Sequence, residues 1–161
     1  MFTIADICDI AVQIEHNGES AYRQASDQVG DPELARVLRW MADEERRHAK
    51  WFEGLRGMGH QAQGDYDQLE AMGRTLLNDM LENQTFSLEL GNLTSERAVD
   101  GLILQSIEFE KDTILFYQML RDFLDDSHAE QHLDLIIAEE RQHVAMLENF
   151  APIEDMEGVE R

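Results

Sequence analysis

A chain of 161 residues makes one domain, large enough to bury about 70% of the surface that its unfolded form exposes. Its formal charge of −21 repels nucleic acid and anionic membrane surfaces, and attracts metal cations and basic partners. The single cysteine, Cys8, excludes an intrachain disulfide and any Cys-x-x-Cys pair for zinc or rubredoxin-type iron, and the scarcity of proline favours packed helices over disorder.

The first amphipathic stretch runs roughly from Thr3 to Asp27, with Ile4, Ile7, Ala11, Ile14, Gly18, Ala21 and Ala25 on its apolar stripe. Its start is fairly apolar, but it lacks a basic residue and is interrupted by Asp6 and Asp9. A cleaved signal is therefore not expected, and a cytoplasmic location is. No apolar run approaches the ~20 residues that a membrane span needs. A turn follows at Val29-Gly30-Asp31-Pro32, where Asp31 is placed to cap the next helix and Pro32 to open it.

The second helix reaches about Arg56 and turns Leu34, Leu38, Met41, Glu45, His48, Phe52 and Leu55 inward. The spacing alternates 4 and 3, as in the seam of a helical bundle, so Glu45 and His48 fill slots expected to be apolar. Residues 57–65 carry three glycines and break the pattern. A long connection follows, with a shorter helix over Gln68–Glu82 and a turn or helix end at Gly91-Asn92.

Thr94 or Ser95 caps the third long helix, which runs to about Leu124 and turns Leu102, Ile103, Ile107, Glu110, Ile114, Tyr117 and Leu124 inward. After a turn over residues 124–127 the fourth places Ala129, Leu133, Ile136, Glu140, His143, Leu147 and Phe150 inward. The fold class is all-α, a four-helix bundle of two helical hairpins joined by a long crossover. The domain covers 1–150, and residues 151–161 form a loose acidic tail.

The chain repeats itself. Glu15, Tyr22, Glu45 and His48 recur as Glu110, Tyr117, Glu140 and His143, each displaced by 95 residues. Glu15 and Glu45 lie equally far from the turn near Gly30, and Glu110 and Glu140 equally far from the turn near Asp125, so each hairpin brings two carboxylates to one level. Each histidine follows its glutamate by three residues, about 4.5 Å along the axis and on the same face.

A lone glutamate or histidine in a seam is commonly a satisfied core residue. Four buried carboxylates are different, because burial and mutual repulsion both oppose them and cations relieve both. Two divalent ions match the four carboxylates in charge, and the oxygen and imidazole donors suit iron, or manganese. A glutamate on each of two helices with a Glu-x-x-His on each of the others is the ligand pattern of di-iron and di-manganese carboxylate bundles.

The repeat implies that Glu15 and His48 hold one ion, that Glu110 and His143 hold the other, and that Glu45 and Glu140 bridge them. Tyr22 and Tyr117, about 10.5 Å along the axis from Glu15 and Glu110, are placed to hydrogen-bond a carboxylate of the opposite hairpin. Glu19, one turn beyond Glu15, has Ile114 as its counterpart. It is an extra, movable ligand beside the site, a residue on the path by which iron enters, or an exposed acid at the stripe's edge. Glu44 and Glu139 are expected to face solvent, and His16, His60, His128 and His132, unmatched at the 95-residue offset, are expected to be surface or structural residues.

The blocks IEHNGESAY and MADEERRHAKWF, then IEFEKDTILFY and IAEERQHVAMLENF, resemble the rubrerythrin family of the ferritin-like superfamily. That resemblance covers both hairpins. It implies a carboxylate-bridged di-iron centre that reacts with dioxygen or hydrogen peroxide, and frequent homodimers. Two departures stand out. Members of the family usually add a rubredoxin-like domain with four cysteines, so an external electron donor is expected here. They also usually carry a further glutamate three residues after the first on the third long helix, where this chain has Thr113.

Three functions compete. The first is a di-iron oxidoreductase acting on peroxide, dioxygen or Fe(II). The second is a non-enzymatic metal-binding or metal-delivery protein, and the third is iron storage in a large assembly.

Overall fold

The computed structural model describes residues 2–58, 66–82 and 86–153. Thr3 opens helix α1 (Ile4–Gln28) with a capping box, since its hydroxyl accepts from the Asp6 N–H and the Asp6 carboxylate accepts from the Thr3 N–H. Asp31 caps α2 (Pro32–Gly57) by accepting from the Glu33 N–H at 2.9 Å, with Pro32 in the first turn, where no N–H is needed. Helix α3 spans Tyr66–Glu82, beginning two residues before the expected start. Ser95, rather than Thr94, caps α4 (Glu96–Arg121), and Asp126 caps α5 (Ser127–Glu148).

The α4 helix stops at Arg121 instead of Leu124. The N–H groups of Asp122, Phe123 and Leu124 turn to carbonyls three residues back, and this tighter turn leads into the cap at Asp126. No strand occurs among the described residues. Nor is any of their helices long and apolar enough to cross a membrane.

Helix α1 lies against α2, α4 against α5, and α2 meets α5 where the hairpins join. The inward stripes bury together, except that Phe150 lies two residues beyond the end of α5 and is only half-buried. Tyr22, Tyr117, Phe52 and Phe116 are the largest side chains wholly withdrawn from solvent.

The crossover is tied to this bundle. Leu69, Met72 and Leu76 of α3 are buried, and the Phe2 ring lies so close over Gly73 that a Cβ there would fall 2.5 Å from it. Beyond α3, Phe86 adopts a left-handed φ of 65°. Its carbonyl accepts from Asn17 Nδ2 at 3.1 Å and its ring meets Phe116 edge-on, contacts that hold a conformation unfavourable to a residue with a Cβ. Gly91 and Asn92 lie in an irregular stretch well past the end of α3. Part of the glycine-rich break, residues 59–65 including His60, and tail residues 154–161 lie outside the described residues.

Candidate metal centre

The structure brings Glu15 of α1, Glu45 and His48 of α2, Glu110 of α4 and Glu140 and His143 of α5 together in the bundle interior, all six with no solvent exposure. Their donor atoms form two overlapping groups. One joins Glu15, Glu45, His48 and Glu140, and the other joins Glu45, Glu110, Glu140 and His143, with the atoms of each group within 4.8 Å of one another. Glu45 and Glu140 belong to both.

Both imidazoles turn Nδ1 inward. His48 Nδ1 is 2.8 Å from Glu140 Oε1 and 3.6 Å from Glu15 Oε1. His143 Nδ1 is 3.1 Å from Glu140 Oε2, 3.2 Å from Glu45 Oε1 and 3.3 Å from Glu110 Oε1. The two rings stack with centroids 6.2 Å apart. The tyrosines reach across the hairpins in both directions. Tyr22 donates to Glu110 Oε1 at 2.8 Å, and Tyr117 donates to Glu15 Oε1.

Five carboxylate oxygens of this cluster are buried without a hydrogen-bond partner: Glu15 Oε2, both oxygens of Glu45, Glu110 Oε2 and Glu140 Oε2. Buried acceptors are ordinarily paired, and leaving one unpaired costs about 1–3 kcal/mol, or more when charged. Such a concentration of orphaned oxygens beside two imidazole nitrogens fits a site for hard or intermediate cations.

Without a cation the cluster retains protons. Burial, reinforced by Glu140 and Glu15, raises Glu45 well above the usual carboxylate range, and burial with Glu140 does the same to Glu110. Burial works against ionised Glu140, but hydrogen bonding with Glu110 and the charge of His143 hold its carboxyl well below that range. Burial alone would lower His48, yet the Glu15 carboxylate and the bond to Glu140 lift it to about 11. His143 is raised in the same way by Glu110 and Glu140. A cation entering the site would replace these protons.

Glu44 and Glu139 do not face solvent as expected. Each accepts at the outer nitrogen of the opposite hairpin's imidazole. His143 Nε2 is 3.3 Å from Glu44 Oε1, and His48 Nε2 is 3.4 Å from Glu139 Oε2. Arg47 pairs with both carboxylates from the more exposed side. Burial opposes the charge on Glu139, but hydrogen bonding shared with Glu44 and donated by Arg47 brings its carboxyl down to about 2. Glu44 and Glu139 share the 95-residue offset of the other matched residues, and that match is the signal that could have revealed them. Arg47 has Gln142 as its counterpart and carried no such signal.

Glu19 sits at the edge of the stripe, outside both donor groups. An i,i+4 ion pair with Arg23 at 3.3 Å holds it there, and Arg23 also reaches Asp43. His16 is about half-exposed between Glu19 and Glu53, His128 is exposed, and His132 stacks on Trp51 with centroids 4.7 Å apart.

Two solved structures share the fold. A protein of Thermotoga maritima described as ferritin-like and diiron-carboxylate is 24% identical, with a TM-score of 0.63 over 92% of this chain and 93% of that one. A hypothetical protein from Pyrococcus furiosus is 16% identical, with a TM-score of 0.64 over 92% of this chain and 87% of its own. No curated protein sequence matches the chain. The sequence model of the rubrerythrin family matches residues 6–151, which takes in all six clustered donors, both tyrosines and the crossover between them. With its carboxylate–histidine cluster buried between two matched hairpins, the chain belongs to the rubrerythrin family of ferritin-like helical proteins.

Proposed function

We propose that the centre holds two iron ions, with manganese as the alternative, and that the protein is an oxidoreductase acting on hydrogen peroxide or dioxygen. The single observation that carries this reading is the set of five orphaned carboxylate oxygens converging with two inward Nδ1 atoms. Glu15 and His48 would hold one ion and Glu110 and His143 the other, with Glu45 and Glu140 shared between them. Ferrous iron held there would supply the electrons for cleaving an O–O bond.

The chain's own residues do the rest. Tyr22 and Tyr117 fix the orientation of Glu110 and Glu15 through their hydroxyl bonds. Glu44 and Glu139 accept a proton-bearing Nε2 from His143 and His48, which leaves each Nδ1 lone pair facing inward. The surrounding apolar core, including Ile14, Phe52 and Phe109, limits the access of water. Electrons reach the centre from an external donor.

Metal analysis of protein purified without oxygen, followed by stopped-flow mixing of the ferrous form with peroxide and with dioxygen, tests the reading. Faster oxidation by peroxide assigns a peroxidase, and faster oxidation by dioxygen a ferroxidase. A bound metal that neither oxidant changes over many minutes refutes an oxidoreductase and leaves a metal-holding protein. Thr113 gives that second reading its support. Its hydroxyl is committed to the Phe109 carbonyl at 2.9 Å, and no carboxylate stands where the family usually carries its further glutamate.

A further inference from the structure

Glu45 and Glu140 occupy matched places, yet their surroundings hold them unequally. Glu140 Oε1 lies 2.8 Å from His48 Nδ1, while His143 Nδ1 stands 3.1 Å from Glu140 Oε2 and 3.2 Å from Glu45 Oε1, almost evenly between the two glutamates. Neither oxygen of Glu45 has a hydrogen-bond partner. Its Oε2 instead lies against α1 at Gly18. A Cβ at Gly18 would stand 3.1 Å from Glu45 Oε2, 3.3 Å from its Cδ and 3.2 Å from Phe109 Cε1, tight enough that the carboxylate would have to shift by a few tenths of an ångström. All three of these atoms belong to side chains, so the glycine makes room for the Glu45 carboxylate and for the edge of the Phe109 ring. The matched position in the other hairpin is Thr113, a buried residue with a full side chain.

We propose that Gly18 is a positioning residue. Its bare backbone gives the Glu45 carboxylate a withdrawn seat against α1, so that Glu45, and not Glu140, is the glutamate that yields a coordination position to a small anionic ligand. This rests on the dimetal reading. Glu45 has room to withdraw toward α1 at Gly18, whereas the matched position in the other hairpin is filled by the side chain of Thr113. A methyl group at position 18 would take away the seat and hold Glu45 forward.

The test uses the full chain loaded with cobalt(II) and titrated with sodium azide, followed by the visible cobalt bands. Wild type is expected to take up two cobalt ions and to change its spectrum with azide. Gly18→Ala is expected to keep both ions and to bind azide more weakly by on the order of tenfold, the size of effect that disturbing a ligand's neighbour has at metal sites. Its cobalt should also pass more slowly to EDTA. Alanine favours a helix interior over glycine, so α1 itself is not at risk.

Phe109→Leu keeps Gly18 and removes the ring edge that closes the seat, so it should strengthen azide binding. That variant decides the matter should Gly18→Ala fail to fold. Wild type that takes up no paired cobalt refutes the dimetal reading. Wild type that binds two cobalt ions but no azide, a folded Gly18→Ala with unchanged azide affinity, or a Phe109→Leu with unchanged or weaker affinity overturns the role of Gly18 alone.

Discussion

Replacing Glu45 with leucine separates the stability of the bundle from its capacity for metal. Both Glu45 oxygens are buried without a hydrogen-bond partner, and burial together with three neighbouring glutamates pushes its carboxyl well above the ordinary range. A buried unsatisfied polar group costs about 1–3 kcal/mol, and leucine is of similar volume. The metal-free variant should therefore be more stable by about 2 kcal/mol, or about 4–8 °C in Tm for a domain of this size. Metal reverses the order. At a free metal concentration 100 times the Kd, wild type gains ~2.7 kcal/mol, whereas the variant has lost a donor common to both groups and should gain little. Thermal melts in EDTA and in cobalt(II) measure both halves. A metal-free Glu45→Leu that melts below wild type, or one whose Tm rises with cobalt as much as wild type's, would refute the reasoning.

Other residues make separate demands. Tyr117→Phe deletes the bond to Glu15 without opening a cavity, and should lower metal affinity by about 10–100-fold in a chelator competition and metal-free stability by about 1–3 kcal/mol, because it leaves Glu15 Oε1 buried and unpaired. Ser106 is wholly buried with its hydroxyl unpartnered, so Ser106→Ala should be neutral or stabilising by up to about 1 kcal/mol in the same melts. Burial, with Asp9 beside it, raises the Cys8 thiol from 9.0 to about 12. The folded chain thus keeps a proton that the unfolded chain loses first. Stability tied to Cys8 is intact below pH 9 and declines as pH rises toward 12, and alkylation of the native protein at pH 8, followed by mass spectrometry, should be no faster than unfolding.

The four long helices were legible because their apolar residues alternate at spacings of 4 and 3, and because Asp31-Pro32 and Ser95 are strong helix openers. The end of α4 was not. Leu124 continues the apolar stripe, and only the tightened turn after Arg121 shows that its burial is achieved outside the helix. The convergence of the six donors was legible from the repeat, since a matched offset carries spatial information that one Glu-x-x-His does not. The imidazole partners Glu44 and Glu139 were misread because helix phase alone turns them away from the interior. The narrow seam between α2 and α5 lets a side chain one position off that face still reach the neighbouring helix. The closeness of Gly18 to Glu45 depends on the approach of two helices and on one rotamer, and neither is encoded in local spacing.

The crossed tyrosine bonds bear on how such a chain could arise. Each hairpin orients a carboxylate of the other and leaves its own to be oriented in return. One hairpin alone is therefore half of a reciprocal lock, while two copies of a single hairpin already contain every donor and both crossing hydroxyls. Duplication of a half-length ancestor that once paired with itself would yield this arrangement in one chain. The contrasts of Gly18 with Thr113 and of Arg47 with Gln142 are departures open to a single chain and closed to a symmetric pair of hairpins.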